Sequence, residues 1–128
     1  MFSPELQAVR AEAQAELRAN APLLYPFILP FQHPQETEPR RVRCGVTALT
    51  DVDRRTAERV IAGYPDQTAQ FYAALRVVDV HPDDHGDDRL PPEDSTAILP
   101  RGTLTVVRVS DEDPYTGTRV LTCVYQEA

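Results

Sequence analysis

The residues of this 128-residue chain with the most chemical potential are His81-Pro82-Asp83-Asp84-His85-Gly86-Asp87-Asp88, with Glu93 and Asp94 just beyond. Two imidazoles four positions apart, beside four carboxylates, are suitable ligand types for a divalent cation. The spacing, however, matches no standard metal loop. No glutamate closes a twelve-residue loop of the EF-hand kind. Pro82 and Gly86 oppose a helix that would bring both imidazoles to one face. The pairs Asp83-Asp84 and Asp87-Asp88 could act as acid and base only in a cleft that splits their pKa values, which a polar loop does not offer. The expectation for residues 81–97 is therefore a solvated acidic loop without a metal. His33 lies among prolines and reads as a surface residue. Ser95 and Thr96 lack the glycine-flanked setting of a nucleophile elbow. No glycine-rich phosphate loop of either common type is present. The sequence implies no catalytic residues, no metal site and no cofactor, and an enzyme is not expected.

Composition narrows the class further. Hydrophobic residues at 41% and charged residues at 26% describe a globular chain of one domain, 1–128. No apolar run is long enough to span a bilayer. The start, Met1-Phe2-Ser3-Pro4-Glu5, lacks a basic stretch followed by an apolar one, so no signal peptide is expected and a cytoplasmic origin is the default. All basic residues are arginine, and the net charge is −7. Acids and arginines cancel over residues 1–78, so the whole excess falls on residues 79–128. Such a surface repels phosphates rather than holding a nucleic-acid backbone, although it suits a wall that DNA slides past. Cys44 and Cys123 are far apart in sequence and read as buried free thiols.

The elements that would carry these residues are legible by period. Residues 3–19 form an expected amphipathic helix. Ser3 is its cap, Pro4 fits the first helical position, and Leu6, Val9, Ala13 and Leu17 make a narrow apolar stripe. That stripe suits packing on the chain's own core or on a partner. Asn20 and Pro22 should end the helix. Over 22–40, prolines at 22, 26, 30, 34 and 39 exclude a regular helix and demote a central strand. Leu23, Leu24, Tyr25, Phe27, Ile28, Leu29 and Phe31 are nevertheless strongly apolar. This stretch reads as an extended arm, buried partly against another subunit. Residues 41–128 should form the β core. Val42–Leu49 alternates as a strand, and Asp51 or Asp53 could cap a short helix over 54–62 that Gly63 ends. Residues 69–80 suggest one long strand, with some helical ambiguity at Ala73-Ala74-Leu75. Residues 103–109 and 118–126 should pair as a β-hairpin around a turn at 111–117. The fold class is thus mainly β (α+β): a small β-barrel or sandwich with an N-terminal amphipathic helix and a C-terminal β-hairpin.

The order of these elements resembles the head-completion (head-closure or stopper) proteins of long-tailed bacteriophages. The residues that carry the resemblance are the helix Leu6-Gln7-Ala8-Val9-Arg10-Ala11-Glu12-Ala13, the β segment Arg41-Val42-Arg43-Cys44-Gly45-Val46 and the run from Phe71 to Val80. The turn Leu99-Pro100-Arg101-Gly102 and the terminal hairpin from Leu104 to Tyr125 complete it. The long 81–97 segment and the proline-rich stretch at 22–34 depart from the family pattern, which leaves stopper, adaptor and tail-terminator places open. The resemblance implies a small barrel that self-associates into a ring in the virion neck. Its partners would be a portal or adaptor protein on one side and a tail-terminator or tail-tube protein on the other. Genomic DNA would pass through the ring without specific binding, and no membrane is involved. Asp83, Asp84, Asp87, Asp88, Glu93 and Asp94 would then face the channel, and the apolar arm would form the subunit interface. The alternative is a non-viral cytoplasmic binding module whose acidic loop recruits a basic partner. A metal-binding enzyme is a more distant alternative.

Overall fold

The computed structural model describes residues 3–113 and 116–128. Six strands form one antiparallel sheet in the order β1-β2-β3-β6-β5-β4 that curls into a nearly closed barrel. They are β1 (Phe27–Phe31), β2 (Arg40–Ala48), β3 (Leu75–Val80), β4 (Thr96–Leu99), β5 (Gly102–Val109) and β6 (Val120–Glu127). Strands alternate their side chains between faces, and here one set fills the barrel. Phe31, Val42, Cys44, Val78, Val80, Leu104, Val106, Leu121 and Cys123 are all but inaccessible and form a single cluster. The terminal hairpin pairs β5 with β6 as expected, with a register shift between Val106 and Arg108. The return strand begins at Val120 rather than Thr118. Pro114 and Tyr115, at the centre of the expected 111–117 turn, lie outside the described residues.

Gly102 shows why the β4–β5 corner is built as it is. A Cβ at that position would run into the Gln126 carbonyl and the Tyr125 ring. The Tyr125 hydroxyl donates to the Arg101 carbonyl at 3.1 Å and packs the corner shut.

Helix α1 (Pro4–Ala19) starts where the sequence places it, with the Ser3 hydroxyl accepting from the Leu6 N–H at 3.2 Å. No residue of α1 is buried, and Val9 is 49% exposed. The thin stripe does not reach the core. The helix is tied down by polar contacts at its middle and its C-terminal end: Arg10 to Glu112, and Arg18 to Asp83 at 3.0 Å.

Three sequence expectations need correction. The proline-rich arm is not extended throughout. Ala21–Leu24 makes a helical turn, α2, because Pro22 occupies its first turn, where a missing N–H costs nothing. The expected long strand over 69–80 is a helix, α4 (Ala69–Ala74), running directly into β3. The Thr68 hydroxyl caps α4 by accepting from the Phe71 N–H at 3.1 Å, and the alanines favour the helix. Third, residues 81–97 are not a purely solvated loop. His81, Pro82, Asp84, Leu90, Pro91 and Ser95 are buried, and β4 begins at Thr96. Gly63 ends helix α3 (Arg54–Ala62) as expected. Of the two candidate caps for α3, Asp53 serves, accepting from the Thr56 N–H at 2.8 Å.

Candidate functional site

Three surface regions carry the residues singled out above. The first is the acidic segment after β3. Asp84 is 1% exposed and lies at its centre. Its carboxylate accepts from the Arg43 backbone N–H at 2.9 Å, from Arg43 Nε at 3.2 Å and from the Arg89 guanidinium at 2.9 Å. Burial alone would raise the Asp84 pKa, but these bonds outweigh it and hold the carboxyl below its usual value. Asp84 is therefore a structural pin and cannot line a channel or contact a partner. Asp83 is exposed, but Arg18 bonds to it and depresses its pKa. Asp87 receives Arg119 at 3.0 Å. Half of the expected acidic lining is thus answered by the chain's own arginines. Asp88, Glu93 and Asp94 are exposed and make no ion pair among the described residues.

The two histidines of the segment serve the fold. His81 is buried against the Tyr25 ring, with centroids 5.2 Å apart, and its Nδ1 accepts from the Asp83 N–H at 3.1 Å. Burial lowers its pKa, and the nearby Arg43 charge adds to the effect. His85 Nε2 lies 2.7 Å from the Val80 carbonyl, so this nitrogen donates. Among the described residues, no three histidines, cysteines or carboxylates converge as a metal centre would require. Ser95 Oγ is buried without a hydrogen-bond partner among the described residues, so no base activates it.

The second region is the apolar arm, which the structure divides. Tyr25, Leu29 and Phe31 point into the chain's own core, which removes them from any subunit interface. Leu23, Leu24, Phe27 and Ile28 stay exposed, Leu23 at 82% and Ile28 at 65%. Phe27 and Ile28 lie on β1 at the open edge of the barrel, and Leu24 of α2 lies against Gly45 of β2. Gln32 and Thr96 bridge β1 to β4, and neither strand is paired further along that edge. Ile98 on β4, 79% exposed, faces outward beside the same seam. Sequence reasoning missed Ile98, because one isoleucine in an alternating strand does not reveal which face is inside.

The third region was also missed. A groove of about 620 Å³ opens between α3 and the outer faces of β3 and β6. Its floor holds Val52, Val60, Val77 and Val120, and its rims hold Asp51, Asp53, Asp111, Glu112 and Asp113 with Arg59 and Arg108. Asp79 also lines it. Its side chain keeps some solvent access, yet protein crowds it. That partial desolvation, with repulsion from Asp53, raises its pKa. These residues are far apart in sequence, and the β2-β3-β6-β5 register together with the packing of α3 across the sheet assembles them.

Among the described residues, no helix is long and apolar enough to cross a membrane. Comparison with protein-family models, with curated proteins and with solved structures found no match.

Proposed function

We propose that this chain is a structural subunit of the head–tail connector of a long-tailed phage, a head-completion or stopper ring joining the portal or adaptor to the tail. The observation that carries this reading is the open, apolar seam of an otherwise closed small barrel. Exposed Phe27 and Ile28 on β1 and Ile98 on β4 flank one unpaired edge, which is how a subunit that completes itself in an assembly is built. The resemblance in element order supports the same reading. In such a ring, the exposed acids Asp88, Glu93 and Asp94 would lie at the channel or its rim, repeated in every subunit. DNA would meet a surface to which it does not adhere.

Pairing of Asp83, Asp84 and Asp87 with internal arginines weakens the alternative of an acidic loop that recruits a basic partner. The test is a density map of the neck of a particle whose genome carries the gene. It should accommodate a ring of this six-stranded barrel between portal and tail. A neck fully accounted for by other chains would refute the reading.

A further inference from the structure

We propose that copies of this chain associate head to tail, the apolar ridge at the β1/β4 seam of one copy seating in the α3 groove of the next. This rests on the self-association in the connector reading and names its two surfaces.

The ridge follows from backbone register. Gln32 and Thr96 exchange both backbone hydrogen bonds across the seam. In an antiparallel strand both backbone groups of a residue point the same way and alternate along the chain. Pro30 and Ile98 are therefore the next pair at the seam, and Ile28 and Pro100 follow. Pro30 has no N–H to donate, so the ladder stops there and the seam stays open. Outward along this open stretch stand Ile28, Pro30 and Ile98. Arg41, opposite Pro30 on β2, is exposed, as is Arg101 in the β4–β5 turn. Neither makes an ion pair among the described residues. The ridge is apolar with basic flanks.

The groove is its complement: a floor with four valines between rims where five carboxylates outnumber two arginines, Arg59 and Arg108. The arginine flanks of one copy meet the carboxylate rims of the next, which decides the occupant. A second ridge would set arginine against arginine, so the chain does not pair seam to seam. The two surfaces also lie on opposite sides of the barrel. In the order β1-β2-β3-β6-β5-β4, β3 and β6 are the middle strands, farthest from the seam between the first and last. A contact between unlike surfaces propagates, and it closes into a ring when the rotation allows. Nearly opposite surfaces suit a ring of many subunits.

Disulfide trapping in the full chain tests this. Ile98→Cys marks the ridge and Asp111→Cys the groove rim; both sites are exposed, and the native Cys44 and Cys123 are buried. An equal mixture of the two variants under mild oxidation should give the mixed Ile98Cys–Asp111Cys dimer. It should form roughly tenfold faster than dimers with an Glu5→Cys control on α1, equivalent to ~1.4 kcal/mol of specific contact. The advantage should shrink at ~1 M salt, where the Debye length is about 3 Å. Predominance of the Ile98Cys homodimer would show seam-to-seam pairing and overturn the proposal. Mixed dimers no faster than the control would overturn it as well. A neck map without this chain would sink the connector reading while leaving the trapping result unaffected.

Discussion

Gln32 and Thr96 hold each other through two backbone hydrogen bonds of 2.9 and 3.0 Å, and at this point the first and last strands of the sheet meet. Pro30, two residues along β1, is what keeps the seam from closing further. Pro30→Val restores a donor facing Ile98. The expected result is an amide at position 30 that exchanges roughly fivefold more slowly than an unbonded one, for one hydrogen bond of ~1 kcal/mol net. An amide there without that protection would show that something other than the missing N–H holds the edge open.

The apolar arm has two faces with opposite consequences. Phe31 is fully buried and Ile28 is 65% exposed. Phe31→Ala should cost about 3–5 kcal/mol in denaturant unfolding. Ile28→Ser should stay within ~0.5 kcal/mol, as surface changes do. A comparable loss for both would mean that Ile28 is covered within the monomer.

Asp84→Ala should destabilise the fold by about 2–3 kcal/mol, since the buried Arg43 N–H and two guanidinium groups lose their acceptor. The pH dependence follows from the direction of its shift. The folded pKa lies below the ordinary 3.8, so the stabilisation is complete well above pH 3.8 and is lost as pH falls through the folded-state value. Unfolding measured from neutral pH into acid should show the mutant's deficit shrinking in that window. A deficit constant with pH would assign the loss to packing rather than to the carboxylate.

Cys44 and Cys123 are buried, and burial pushes both thiols up to about 12. A thiolate is the reactive form. Native protein at pH 8 should therefore react with a thiol reagent at least roughly a hundredfold more slowly than a free cysteine, and both thiols should titrate in denaturant. Rapid labelling of either in the native state would show that the barrel interior opens.

The fold was readable where one period dominates. Thr103–Val109 is rich in β-branched residues and alternates threonine with an apolar residue over Thr103–Val106, and it is a strand. Ser3-Pro4 caps and opens a helix in the way those residues locally dictate. Residues 69–74 misled because a nearly continuous apolar run has no period, and the Thr68 cap decides in favour of helix. Asp84 was not legible as a core residue. A carboxylate among five other acids looks solvated until Arg43, forty-one residues earlier, folds over it. The groove depends on strand register and on how α3 packs across the sheet, so Asp53, Asp79 and Asp111 gave no joint signal in sequence.

The connector role is tested most directly by disrupting the gene in a phage genome that carries it and imaging the resulting lysate by electron microscopy. The account predicts heads and tails that are separately formed but unjoined, with tailed particles restored when the intact chain is supplied in trans. Normal tailed, infectious particles from the disrupted genome would contradict it.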